Sequence, residues 1–163
     1  MDQKNRLEAL KRGHKKRKGA RKVSEEYLEA IYELARQQKK ARPIDISRTL
    51  NVAPSTVRKV LNRLVQQGYV AYEPYRELTL TEQGEEQVYK LKKRHDTLAK
   101  LLTILGMEPM DAEVEAERIE HNLTEYSTEF FQALLEALEE NPEALAMLRS
   151  KISERLARVV KPM

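Results

Sequence analysis

Prolines at positions 43 and 54 constrain this chain more than any other feature, because each suits the opening turn of a helix and neither suits its interior. Pro43-Ile44-Asp45-Ile46-Ser47-Arg48-Thr49-Leu50 reads as a short helix, Asn51-Val52-Ala53 as a tight turn, and Pro54 to Gln67 as a second helix closed by Gly68. Val57, Val60, Leu61, Leu64 and Val65 give that second helix an apolar face. Two helices joined by three residues make a helix-turn-helix. Residues 69–73 and 77–81 then alternate like half-buried strands around Pro74-Tyr75-Arg76, which predicts a hairpin wing.

Helical patterns fill the rest. Ser24 reads as the cap of a helix with a stripe of Tyr27, Leu28, Ile31, Tyr32 and Leu34-Ala35, running to about Gln38. Thr81 caps a long helix through Val88, Leu91, His95, Leu98 and Leu101-Leu102 to Gly106. Three more helices are expected, over Met110 to about Leu123, Ser127 to Glu140, and from Asn141-Pro142 to Val160. The expected fold is mainly α, an N-terminal winged helix-turn-helix domain plus a C-terminal α-helical dimerisation domain. Its expected divisions are a flexible basic arm at 1–22, the DNA-binding domain at 23–84, a linking helix at 85–106 and the dimerisation domain at 107–163. Phe130, Phe131, Leu134, Leu135 and Leu138 are too much apolar surface for so small a domain to hide alone, so a homodimer is expected.

Charge divides the chain the same way. Residues 1–100 carry 24 Lys and Arg against 13 Asp and Glu, whereas residues 101–163 carry 6 against 13. A basic front and an acidic rear suggest a phosphate-facing module joined to one that avoids nucleic acid. On a DNA-reading second helix, Pro54, Ser55, Thr56 and Arg58 meet base edges and Lys59 and Arg63 lie nearer the phosphates. Tyr75 and Arg76 at the wing tip touch the backbone or a minor groove. The arm, with ten basic residues among 22, is suited to tracking phosphates or to serving as a solvated tail. With no cysteine, thiolate metal sites and disulfides are excluded. No apolar run reaches the roughly 20 residues of a membrane span, so no membrane partner and a cytoplasmic location are expected.

A second chemistry lies in Glu117-Arg118-Ile119-Glu120-His121. On a helix Glu117, Glu120 and His121 share a face, and two carboxylates with an imidazole suit a first-row divalent ion. Glu26, Glu29 and His95 are further candidate arms. Neither His95 nor His121 has the Glu three residues before it that a di-metal carboxylate enzyme requires. There is no His-Glu-x-x-His element, phosphate-cradling glycine loop or cysteine nucleophile either, so no enzyme is expected.

From Ser24 to about Leu123 the chain resembles the diphtheria-toxin-repressor family of iron- and manganese-dependent regulators, and most of all its short manganese transport regulators. The residues that carry the resemblance are Ser24-Glu-Glu-Tyr-Leu-Glu-Ala-Ile-Tyr, Asp45-Ile-Ser with Leu50-Asn-Val-Ala-Pro-Ser-Thr-Val, Tyr72-Glu-Pro-Tyr-Arg, Leu78-Thr-Leu-Thr, Arg94-His95, Leu105-Gly106-Met107 and Ile119-Glu120-His121. It implies metal ligands at Glu26, Glu29, His95, Glu117, Glu120 and His121. The manganese type has Asp where this chain has Glu26, and the iron type has Met at 26 and Cys at 117. Carboxylates at both positions favour Mn²⁺, with Fe²⁺, Zn²⁺ and Co²⁺ as alternatives. Ala99 lacks the carboxylate of the iron type's second site, Glu77 replaces a wing-turn glycine common in relatives, and the iron type's C-terminal SH3-like domain is not expected. The implied function is a metal-dependent transcriptional regulator, a repressor of metal-ion homeostasis genes, that binds a palindromic double-stranded DNA operator. The competing expectation is a winged-helix regulator that ignores metal and answers to a small molecule or a protein.

Overall fold

The computed structural model describes residues 18–38, 41–72 and 77–159. Among them the chain is mainly helical: α1 (Lys18–Gln38), α2 (Pro43–Thr49), α3 (Pro54–Gln66), β1 (Val70–Ala71), β2 (Thr79–Leu80), α4 (Glu82–Ile104), α5 (Pro109–Glu120), α6 (Glu125–Glu139) and α7 (Pro142–Val159). It divides into two compact units, residues 1–88 and 89–163. Among the described residues no helix is long and apolar enough to cross a membrane.

In the N-terminal unit, Tyr27, Leu28, Ile31 and Leu34 lie on one face of α1 and are buried with Ile46 of α2 and Val57, Val60, Leu61 and Leu64 of α3. Val70, Leu78 and Val88 close the same core. The turn between α2 and α3 depends on Asn51, whose φ of 51° lies in the left-handed region that Asn tolerates better than most residues. There Asn51 N–H donates to Arg48 O and Val52 N–H to Ser47 O, which ends α2 and redirects the chain into α3. Gly68, with φ 77°, ends α3 by the same pair of bonds, to Val65 O from itself and to Leu64 O from Tyr69.

Two expectations are corrected. Ser24 does not open α1, which begins at Lys18; Ala20, Arg21 and Lys22 are good helix formers and Val23 packs on the core, so the helix extends past the serine. Ser24 Oγ instead accepts a hydrogen bond from Arg63 Nη2 at 2.9 Å. The wing strands are shorter than the alternation suggested, pairing only Val70 with Leu80 and Ala71 with Thr79, antiparallel. Tyr72 and Glu77 are exposed, and the buried Leu78, next in that register, bridges to Ala41 instead. Leu78 N–H also reaches Ala41 O at 2.9 Å. Residues 73–76, including Tyr75 and Arg76, and residues 1–17 of the basic arm lie outside the described residues.

The C-terminal unit has two small apolar clusters, Leu98, Ala99 and Ala116 with Leu123, and Leu101, Leu135 and Leu138 with Leu145 and Leu148; Phe131 packs against both. Helices α5 and α6 start a little earlier than the pattern suggested because polar side chains cap them further upstream, whereas α7 opens at Asn141-Pro142 as expected. Glu108 accepts from Met110 N and Asp111 N, Thr124 Oγ1 from Ser127 N and Asn141 Oδ1 from Ala144 N.

Thr81 caps α4 as expected, accepting from Gly84 N at 3.1 Å while donating to Gly68 O at 2.5 Å. That cap draws α4 so close to the preceding loop that a Cβ on Gly84 would stand 2.0 Å from Tyr69 O. Alanine in a helix is favoured over glycine by about 1 kcal/mol, but overpacking against backbone costs about 1–3 kcal/mol or more. Gly84→Ala is therefore expected to lower stability by about 2 kcal/mol, read as a lower urea midpoint; a rise would contradict the close approach.

Candidate metal centre and nucleic-acid interface

Helix α5 places Glu113, Glu117 and Glu120 one turn apart on one face, followed by its C-cap residue His121. Ala112 and Ala116, both fully buried, hold the helix in the unit by leaving room for close packing. Arg94, itself buried, donates to Glu120 O and Leu123 O at 3.4 Å each and so ties down the end of the helix that carries the histidine.

His95 of α4 meets these side chains. Its Nδ1 is 2.9 Å from Glu120 Oε2 and 4.0 Å from Glu117 Oε2, and its Nε2 is 2.7 Å from Glu113 Oε2. His121 Nε2 stands 3.7 Å from both Glu117 Oε1 and Glu120 Oε1. Donor atoms of His95, Glu117 and Glu120 lie within 4.8 Å of one another. Atoms bound to a single ion at about 2.1 Å stand roughly 3–4.2 Å apart, and the 2.9 and 4.0 Å from His95 Nδ1 to Glu120 and Glu117 are close to that span.

The electrostatics fit a cation as well. Glu120 is completely buried, and its Oε1 receives no hydrogen bond. Burial, then the charge of Glu117, push its carboxyl above the usual carboxylate range, while His95 and His121 act in the opposite direction. Burial alone would lower His95, but the hydrogen bond to Glu113 and the charge and hydrogen bond of Glu120 outweigh it and hold the imidazole above its ordinary 6.5. A divalent ion neutralises such a cluster more completely than one shared proton.

Of the six residues singled out as metal ligands, the C-terminal unit brings together His95, Glu117, Glu120 and His121. Glu26 and Glu29 belong to α1 of the N-terminal unit, three residues apart and both half-buried, with Lys22 Nζ 3.8 Å from Glu26 Oε1. Glu113 was missed in sequence, although it sits four residues before Glu117 on the same face and the helical period alone points to it.

On α3, Val57, Val60, Leu61 and Leu64 are buried, while Pro54, Ser55, Thr56, Arg58 and Lys59 are exposed. Ala53, the N-cap, makes no side-chain cap, and no acidic residue occupies the first turn, so nothing there neutralises the helix's positive end. Arg63 is half-buried and directed at Ser24. Asn62, also missed, is exposed and continues the face of Ser55, Arg58 and Lys59.

Family comparison agrees with both halves. Residues 21–78 match the model of the iron dependent repressor, N-terminal DNA binding domain, and residues 81–149 match that of the iron dependent repressor, metal binding and dimerisation domain. The chain belongs to the iron-dependent repressor family. It is 36% identical over 126 residues to the HTH-type transcriptional regulator MntR of Lysinibacillus sphaericus (strain C3-41), covering 77% of this chain and 91% of that one.

Iron-dependent repressors are DNA-binding transcriptional regulators, and the chain is not an enzyme. Two solved structures share the fold. One, a manganese-dependent transcriptional repressor in complex with manganese, has a TM-score of 0.60 and 26% identity, covering 69% of this chain and 52% of that one. The other, ScaR with bound Zn²⁺, has a TM-score of 0.61 and 25% identity, covering 69% and 53%. This chain thus spans about half the length of each of those proteins.

The raised pKa of His95 fixes a sign. Its proton is held more tightly in the folded chain than in the unfolded one, so the stability it adds to metal-free protein is complete below 6.5 and is lost as pH rises through the higher folded value. An ion held by His95 would need the neutral ring and would compete with that proton. Mn²⁺ affinity is expected to climb with pH through a midpoint above 6.5, and His95→Ala to flatten the climb. Titrations across the neutral range check this; an affinity independent of pH would contradict it.

Proposed function

We propose that this protein is a cytoplasmic transcriptional regulator, a repressor of metal-ion homeostasis genes, that binds a near-palindromic DNA operator as a homodimer when loaded with a divalent ion. The observation that carries the reading is Glu120, a completely buried carboxylate whose Oε1 receives no hydrogen bond, held beside His95 and Glu117 in a donor group that fits a cation. Family membership supplies the setting, a DNA-binding domain followed by a metal-binding and dimerisation domain.

The proposed ligands are His95, Glu117, Glu120 and His121, with Glu26 and Glu29 of α1 as the remaining donors. A set of carboxylates and imidazoles without sulfur favours Mn²⁺, with Fe²⁺, Zn²⁺ and Co²⁺ as alternatives. The manganese named for one structural relative agrees with that chemistry, and the zinc named for the other shows why the choice of ion needs measuring. When bound, the ion supplies the positive charge that the cluster lacks. The protein's residues do the rest: Arg94 holds the end of α5, and the buried alanines fix the helix that carries three of the donors.

For DNA, Pro54, Ser55, Thr56 and Arg58 at the start of α3 meet base edges, with Lys59 and Arg63 nearer the phosphates and Tyr75 and Arg76 at the wing. The dimer is supported by apolar side chains left exposed on three helices of the C-terminal unit, Met110 and Val114 of α5, Tyr126, Phe130 and Leu134 of α6, and Met147 of α7. A two-fold dimer pairs two readers, which is why the operator is expected to be near-palindromic.

Equilibrium dialysis tests the metal centre: wild type is expected to retain Mn²⁺. Glu120→Ala is expected to lose more affinity than the about 10- to 100-fold that loss of an outer partner costs. Equal retention by both proteins would contradict the assignment. Sedimentation at micromolar concentration is expected to give a dimer, and a monomer alone would overturn that part. Replacing Arg58 and Lys59 together by alanine is expected to reduce the slope of log affinity against log salt by about 2; an unchanged slope removes both from the phosphates.

A further inference from the structure

Both ring nitrogens of His95 face carboxylates, from opposite sides. Nδ1 faces Glu120 at 2.9 Å and Glu117 at 4.0 Å, whereas Nε2 faces Glu113 at 2.7 Å. Glu117 and Glu120 belong to the donor group with His95; Glu113 does not.

We propose that Glu113 is a positioning residue for the metal centre: its carboxylate accepts the Nε2 proton of His95, which presents Nδ1 as the nitrogen that binds the ion. The proposal rests on the metal-dependent reading above.

A neutral imidazole carries one proton and one lone pair, and only the nitrogen with the lone pair can bind a cation. The candidate donors lie on the Nδ1 side, so a loaded centre requires the proton on Nε2. With the proton on Nδ1 instead, the Nε2 lone pair and the Glu113 oxygen would oppose each other at 2.7 Å with no hydrogen between them. With the proton on Nε2 the same opposition falls on Nδ1 and Glu120 at 2.9 Å, but a cation bound there removes it, so the closer contact with Glu113 favours the tautomer that metal binding needs. Its own side chain is 59% exposed, so water solvates that carboxylate outside the donor group. Histidine ligands generally donate their second N–H to such an oxygen, which fixes the ring and raises its basicity.

Nitrogen-15 spectra of the labelled histidines, recorded on metal-free full-length protein at a pH where the rings are neutral, read the tautomer directly. Mn²⁺ titration reads its consequence. Wild type is expected to hold the proton on Nε2. Glu113→Ala leaves Glu120 as the remaining carboxylate within hydrogen-bond reach of the ring, so the proton is expected to shift towards Nδ1 and Mn²⁺ affinity to fall about 10-fold. Glu113→Gln keeps an oxygen that can accept the bond and is expected to hold the wild-type tautomer and most of the affinity. A proton on Nδ1 in wild type overturns the proposal, as does an unchanged tautomer or an unchanged affinity in Glu113→Ala. So does Glu113→Gln losing a bound metal equivalent or weakening as far as Glu113→Ala, which would make Glu113 a ligand or a charge partner instead. Wild type that retains no Mn²⁺ overturns the metal reading itself, whereas unaltered variants beside a loaded wild type overturn only the role of Glu113.

Discussion

A carboxylate removed from water must be protonated, hydrogen-bonded or paired with positive charge, because burying it bare costs far more than one mutation's worth of stability. Glu120 is in that position, and much around it in the C-terminal unit can be understood as an answer to it. His95 approaches one oxygen from α4, His121 stands next in the chain, and Arg94 bonds to the backbone of the same residue. Helix α5 comes close enough for this only because Ala112 and Ala116 have little side chain to hold it away. Without a cation the answer is incomplete, since Oε1 has no hydrogen-bond partner. That incompleteness is what a resident cation would remove.

The N-terminal unit solves a different problem. A DNA-reading helix must be anchored by one face and bare on the other. Helix α3 achieves this with four buried aliphatic side chains against α1 and α2, and with a first turn that carries neither a cap nor an acidic residue. The left-handed turn at Asn51 sets its direction, and Gly68 and the Thr81 cap end it cleanly into the wing and α4. The turns of this frame are closed by local bonds, while Arg63 to Ser24 and Leu78 to Ala41 tie its elements together across the sequence.

How much of this was legible in sequence follows from the range of each interaction. The helices and their ends could be read because capping and apolar period are local: Pro43, Pro54, Gly68, Thr81 and Gly106 all stand where the pattern placed them. Ser24 misled because a hydroxyl that can cap a helix can equally accept a bond from Arg63, 39 positions away, and sequence does not reveal which use prevails. The wing strands were drawn too long because alternation does not reveal that Leu78 bridges to Ala41 instead. The cluster around Glu117, Glu120 and His121 was visible from helical spacing, whereas the pairing of His95 with Glu113 depends on two helices meeting and on which way a ring faces.

The account stands on coupling between ion and DNA. An ion can promote DNA binding only by favouring the DNA-competent state over its alternatives, and a coupling of about 1–3 kcal/mol corresponds to roughly 5- to 150-fold in affinity. The most direct test measures operator affinity of wild type and His121→Ala, each with saturating Mn²⁺ and with chelator. The account predicts tight binding by wild type with Mn²⁺, a loss within that range on chelation, and a folded His121→Ala that no longer responds. Wild-type affinity that is the same with Mn²⁺ and with chelator would contradict it.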